Sequence, residues 1–226
     1  MVQVIVIGVG SMGWNHARVC SELGILSGIC DGNEETAHSV SKRFDVPGFS
    51  SLDQALKEVN PTAAIVATPT STHHEVAKKL LHHGCHVLIE KPLVSEIAQG
   101  EDLIQLSSEL KLTLAVGHIE RHNPVVRRAK EHLQSGEWGE LITINSRRVS
   151  SFTGRINDVG AVLDVGIHDI DNLKYTLEES EIGYENFCVI ETFIKSIEWL
   201  YLAAKGHRRA YFSLKNNSLE KKWLIP

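Results

Sequence analysis

Apolar residues run almost unbroken through five short stretches in the first half of the chain: Val2–Ile7, Ile25–Cys30, Ala63–Ala67, His86–Glu90 and Leu112–Val116. Helix-compatible segments separate them, at Trp14–Leu23, Glu34–Phe44, Ser51–Val59 and Thr72–His82, and Ser95–Leu110 precedes the last run. A strand with one wet face alternates apolar and polar positions. Continuous apolar runs belong to strands covered on both faces, the condition of a parallel sheet wrapped by helices. The pattern predicts a doubly wound parallel α/β domain over residues 1–118. Residues 119–226 read as a second, incomplete α+β domain for substrate or self-association. Its elements are a helix at Pro124–Gln134 opening on proline, a half-buried strand at Leu141–Val149 with Ile142 and Ile144 on its apolar face, and helical spacing over Gly160–Leu177. Further on the pattern weakens; Phe187–Ile194 and Arg209–Leu214 are candidate strands, with Lys215–Ser218 as a hairpin turn.

The first apolar run ends in Gly8-Val9-Gly10-Ser11-Met12-Gly13, and a helix-compatible segment follows. The second run ends in Asp31. A G-x-G-x-x-G hexapeptide alone is a weak signal, but strand before, helix after and acid about 20 residues on are the context of a dinucleotide site. Gly8 permits a tight turn, Gly10 lets a pyrophosphate approach the backbone, and Gly13 lets the helix pack close to the strand. The helix N-terminus then offers free N–H groups and a positive dipole end to the phosphates. Asp31 is placed to accept hydrogen bonds from the adenosine ribose, and its charge repels a 2′-phosphate. NAD is therefore expected in preference to NADP. The alternative is a chance glycine turn in an unrelated α/β protein.

Composition narrows the rest. The chain has 226 residues, is 42% hydrophobic and 23% charged, and carries a formal net charge of -5, which argues against nucleic acid as a partner. No apolar run reaches membrane-spanning length and the first strand begins at once, so neither membrane nor signal peptide is expected. Four cysteines (Cys20, Cys30, Cys85, Cys188) lie scattered without a C-x-x-C pair, which suits a reduced, cytoplasmic setting. His82 and His86 have helical spacing, but Gly84 lies between them and Val87-Leu88-Ile89 starts a strand, so no metal is expected.

Three further motifs stand at or just beyond strand ends, where open α/β sheets bind ligands. Thr68-Pro69-Thr70-Ser71-Thr72-His73 is a hydroxyl-rich turn that can line a cofactor and cap a helix at once. Glu90-Lys91-Pro92-Leu93 sets a lysine directly after a buried strand; it can bind a hydroxyl or carbonyl oxygen, or snorkel at the sheet edge. Asp164 and His168 are four apart on a helical pattern. Spacing alone favours a salt-bridged histidine on a polar face, though a histidine beside a carboxylate also suits proton transfer near neutral pH. Arg147, Arg148 and Arg155 can hold a diphosphate or form a solvated basic edge.

Together these motifs (G-V-G-S-M-G-x-x-H-A, Asp31, A-T-P-T-x-x-H, E-K-P-L and G-x-x-x-D-x-x-x-H) resemble the glucose–fructose oxidoreductase / inositol dehydrogenase family, Gfo/Idh/MocA, over residues 1 to about 177. The stretch Gly117–Pro124 with Arg147-Arg148 and Arg155-Ile156 is similar to its UDP-N-acetylglucosamine 3-dehydrogenase subgroup. The resemblance implies a Rossmann domain and NAD-dependent oxidation of a ring hydroxyl on a nucleotide sugar or cyclitol. It implies catalytic roles for Lys91 at the reacting oxygen, His168 as proton acceptor and Asp164 as orienting group. It implies cofactor contacts at Gly8, Gly10, Ser11, Met12, Gly13, Asp31, Thr68, Pro69, Thr70, His73, Glu90 and Lys91, and substrate contacts at His118, Arg121, Asn123, Arg148 and Arg155. The family has a longer second domain, so a naturally shortened member, a disrupted gene product or a fragment is expected here. A non-catalytic NAD-binding remnant and a reductase of a non-sugar carbonyl stay open as alternatives. An incomplete sheet leaves open edges, which points to a homo-oligomer.

Overall fold

The computed structural model describes residues 2–139, 166–177, 196–201, 208–215 and 218–224. The predicted strand at Leu141–Val149, the candidate strand at Phe187–Ile194, the first turns of the predicted Gly160 helix, Cys188 and the residues Arg147, Arg148, Arg155 and Asp164 lie outside them. The chain divides into two compact units, Met1–Ser180 and Glu181–Pro226.

In the first unit six strands form one parallel sheet. They are β1 (Val4–Ile7), β2 (Leu26–Cys30), β3 (Gly48–Phe49), β4 (Ala63–Val66), β5 (His86–Ile89) and β6 (Leu114–Val116), in the spatial order β3-β2-β1-β4-β5-β6. Helices α1 (Ser11–Glu22), α2 (Glu34–Phe44), α3 (Leu52–Val59), α4 (His73–His82) and α5 (Ile97–Glu109) connect them. α6 (Pro124–Gln134) and α7 (Ile167–Leu177) follow. The doubly wound α/β expectation holds, with one strand more than the apolar runs showed.

Alternation along the strands sorts the core onto two faces. Ile5 and Ile7 of β1 join Ala64, Val66, Val87 and Ile89 beneath α3, α4 and α5, through Leu56, Leu80, Leu81 and Leu103. Val6 and Ile29 face the other way, against Ala17 of α1 and Val40 and Phe44 of α2. Burial of both faces is why these strands read as unbroken apolar runs. Helix boundaries follow local chemistry: Asn33 caps α2 by accepting from Thr36 N–H at 2.9 Å, Asn123 caps α6 by accepting from Val125 N–H at 3.0 Å, and Gly84 at φ +91° ends the segment between α4 and β5. The strand order reverses between β1 and β4, so their carboxyl ends open the crevice where doubly wound sheets take ligands.

In the second unit β7 (Ser196–Tyr201), β8 (Arg208–Lys215) and β9 (Ser218–Leu224) form an antiparallel sheet in that order. Lys215 pairs with Ser218 across the β8–β9 hairpin, as the sequence there predicts. β7 and β9 are additions to the sequence reading. Among the described residues no helix is long and apolar enough to cross a membrane.

Candidate cofactor and reaction site

The turn between β1 and α1 is built by backbone meeting backbone. Gly8 adopts φ +81°, and a Cβ there would stand 2.8 Å from the Ala67 carbonyl and the Thr68 nitrogen at the end of β4. A Cβ at Gly13 would lie 1.7 Å from the Gly8 carbonyl oxygen. These two glycines answer to the protein itself. Gly10 does not: a Cβ there meets nothing within 4 Å. Its small size leaves open space in front of α1, whose first turn carries no acidic side chain and whose N-cap makes no side-chain bond. An exposed helix N-terminus behind an open glycine fits a bound pyrophosphate. Ser11 and Met12 are exposed at its edge.

Asp31 closes the other side of the turn. One carboxylate oxygen accepts from Val9 N–H at 2.8 Å and the other from Asn33 N–H at 2.9 Å. The side chain is fixed at the end of β2, and each oxygen keeps a lone pair for a ribose hydroxyl.

The turns after β4 and β5 are tied together by His73, which is 1% exposed. Its Nδ1 lies 2.9 Å from the Pro92 carbonyl oxygen and its Nε2 lies 2.9 Å from that of Thr68. Thr72 adds hydroxyl bonds to Thr68 Oγ1 and the Pro69 carbonyl, both at 2.8 Å. The His73 ring thus lies inside the scaffold and holds the turn that carries the half-buried Thr68 and exposed Pro69. Thr70 is likewise buried, so its side chain faces the protein.

Glu90 is likewise engaged by protein groups. Its side chain is buried, with one oxygen 2.7 Å from His16 Nε2 on α1 and the other accepting from Lys91 N–H at 3.2 Å. Burial pushes the Glu90 carboxyl up; the His16 hydrogen bond and charge, with the Lys91 N–H and ammonium, outweigh it and hold the group below the usual carboxylate range. The carboxylate therefore serves neighbouring protein groups. Lys91 is half-buried, at a cis peptide bond with Pro92.

Beyond β6, His118 lies half-buried between charges of opposite sign. Burial pushes its imidazole down, Asp171 and Glu90 pull it up and Arg121 pushes it down, for a net value below the ordinary one. Its Nε2 is 3.7 Å from Asp171 on α7. Arg121 grips the buried Asp171 in a fork, Nη2 to Oδ1 at 2.6 Å and Nε to Oδ2 at 2.9 Å. Two residues expected to contact substrate have protein partners here: Arg121 anchors α7, and Asn123 caps α6 while donating to Glu120 at 3.0 Å. Asp171 stands one turn after His168, on the same side of α7. The Arg121 anchor therefore fixes the turn that bears His168, which is half-buried.

His16 is the histidine of the G-V-G-S-M-G-x-x-H-A motif, but the sequence reading gave no site role to it or to Asp171. His16 borders the buried stripe of α1 (Gly13, Ala17, Cys20), where a polar residue needs a partner. Asp171 is an acid at helical spacing from a candidate histidine. The expected helix end and strand start between His82 and His86 hold: His82 closes α4, while His86 begins β5 and its Nδ1 accepts from Thr113 N–H at 2.9 Å. The buried thiols of Cys30 and Cys85 are pushed up to about 11, chiefly by burial, which keeps them unreactive.

A family profile described as an oxidoreductase family with an NAD-binding Rossmann fold, GFO_IDH_MocA, matches residues 2–118. The UDP-N-acetylglucosamine 3-dehydrogenase of Acidithiobacillus ferrooxidans is 36% identical over 166 residues, 74% of this chain and 51% of that enzyme. The chain thus spans about half the length of that relative. The glucose-6-phosphate 3-dehydrogenase of Bacillus subtilis is 26% identical, matched over 100% of this chain and 69% of its own. A crystal structure of the Acidithiobacillus enzyme aligns with TM-score 0.68 and 29% identity, covering 97% of this chain and 68% of the other.

The glycine geometry separates fold from ligand. Gly13→Ala should lower stability by roughly 1–3 kcal/mol, the usual range for forced contacts. Gly10→Ala should leave the urea midpoint nearly unchanged yet weaken NAD binding about tenfold or more in calorimetry. Unchanged affinity in Gly10→Ala would show that the open space does not receive the pyrophosphate.

Proposed function

The chain belongs to the Gfo/Idh/MocA oxidoreductases with an NAD-binding Rossmann fold, and from that premise we propose that it is an NAD-dependent sugar dehydrogenase. Its substrate is a nucleotide sugar oxidised at a ring hydroxyl, with UDP-N-acetylglucosamine the first to test. The observation that supports this best is the gathering of the open glycine turn, fixed Asp31, the Thr68 turn and the Lys91 segment at the carboxyl ends of β1, β2, β4 and β5.

Bound NAD supplies the acceptor for the hydride. The chain supplies the rest. Gly8–Gly13 and the N–H groups opening α1 hold the pyrophosphate, and Asp31 holds the adenosine ribose. The Lys91 ammonium binds the substrate hydroxyl oxygen and stabilises the negative charge that grows there as the proton leaves. His168 accepts that proton on a ring nitrogen. Asp164, four residues before it, orients the site. Arg148 and Arg155 bind the diphosphate of the substrate, and His118 lies near its sugar.

A second reading is an NAD-binding chain without turnover. It shares the cofactor seat and differs in the outcome with substrate. The deciding assay mixes the chain, NAD and a panel of nucleotide sugars and cyclitols and follows absorbance of the reduced cofactor. Turnover supports the dehydrogenase; NAD binding with none across the panel supports the second reading.

Two substitutions divide the roles. Lys91→Ala should cut turnover about 1000-fold while NAD affinity stays within a few-fold, the scale for losing a charge at a developing oxyanion. His168→Ala should cut it roughly 100-fold or more, with partial recovery at higher pH where solvent takes the proton. Near-normal rates in both variants would refute the assignment. Asp31 sets the cofactor choice: Asp31→Ser should weaken NAD and narrow the gap to NADP in paired calorimetric titrations. A wild-type preference for NADP would remove the ribose role from Asp31.

A further inference from the structure

His16 and Glu90 are 74 positions apart in sequence and 2.7 Å apart in space. His16 stands on α1, one turn beyond Gly13, and Glu90 directly follows β5. Their side chains are 19% and 9% exposed. A Cβ on Gly117, after β6, would stand 3.2 Å from the Glu90 carboxylate, so that glycine makes room for the charge. The groups facing Glu90 are His16 from α1, the N–H and ammonium of Lys91 from its own segment, and the His118 ring from the loop after β6.

We propose that His16 and Glu90 are a positioning pair for Lys91, an inference that rests on the reaction role given to Lys91 above. A lysine has four rotatable side-chain bonds, and only its backbone can be fixed cheaply. The Glu90 Oε2 bond to Lys91 N–H does that fixing, and the His16 Nε2–H bond to Oε1 fixes Glu90. The helix that opens on the pyrophosphate site and the lysine that meets the reacting oxygen are thereby set by one carboxylate. Misplacement of a reacting group by about 1 Å can cost on the order of 100-fold in rate. Without His16, the carboxylate keeps a single backbone donor in a buried place, and it must take up a proton or turn towards water.

The test uses the full chain with His16→Leu, His16→Gln, Glu90→Gln and the His16→Leu/Glu90→Gln double variant. Glutamine at position 16 carries an N–H near the place of Nε2; leucine does not. Four quantities are measured: amide exchange of Lys91 by NMR, NAD affinity by calorimetry, and kcat and KM with NAD and UDP-N-acetylglucosamine. In His16→Leu the Lys91 amide should exchange about tenfold faster and kcat fall about tenfold, the range for losing one charged hydrogen bond. KM and NAD affinity should stay within about threefold. His16→Gln should recover most of both losses, and Glu90→Gln should add little to His16→Leu, because the two act as one unit. Wild-type exchange in His16→Leu, or a His16→Gln variant no better than it, would overturn the pair. Absence of turnover in the wild-type chain would overturn the dehydrogenase reading instead, and the exchange rates would still decide the pair.

Discussion

The arrangement depends on one close approach. β1 leaves the sheet at Gly8, α1 begins at Ser11, and the turn between them lies against the backbone of Ala67 and Thr68 with no room for a side-chain carbon at Gly8 or Gly13. That contact brings the N-terminus of α1 to the carboxyl ends of β1 and β4, where the strand order reverses. A larger residue would push the helix away from the sheet and withdraw the N–H groups from the crevice. Two of the turn's glycines thus answer to close backbone contact, and the third, Gly10, leaves open space in front of α1.

Around this turn, long-range polar contacts replace the covalent continuity that the strand-end segments lack. His73 joins the turns after β4 and β5 through two backbone carbonyls. Glu90 joins α1 to the segment of Lys91. Arg121 joins the turn after β6 to α7 through Asp171. Each connector is buried or partly buried and each takes a charged or aromatic polar side chain, which must be satisfied internally to be tolerated there. Their common effect is to present a few groups (Lys91, His118, His168 and the Thr68 turn) on segments whose own sequences are too short to hold a shape alone.

How much of this was legible depends on the range of the interaction. Strands buried on both faces announce themselves as apolar runs, so five of the six in the first sheet, and helices such as Glu34–Phe44 and Pro124–Gln134, follow from local pattern and capping. β3 has only Gly48 and Phe49, too few residues to show any period. α1 starts three residues before the expected Trp14, because tertiary contact at Gly13 overrides glycine's poor helix propensity. β9 contains adjacent Lys221 and Lys222, which hide its alternation. For the site, the fingerprint and its acid were readable because their geometry is set within one βαβ unit. The protein partners of His73, Glu90 and Arg121 were not legible, because a sequence shows the residue type and its neighbours, not the carbonyl 19 positions away or the carboxylate 50 positions away that engages it.

The dinucleotide seat proposed at the carboxyl ends of β1, β2, β4 and β5 is ready-made and continuous with the lysine segment. Titrating the ¹⁵N-labelled chain with NAD and recording its amide resonances tests it most directly. The account requires saturable shifts at Gly8–Gly13, Asp31, the Thr68–Thr72 turn and Lys91, with the edge around Gly48 and Gln54 unmoved. Shifts confined to that edge, or none at millimolar NAD, would contradict it.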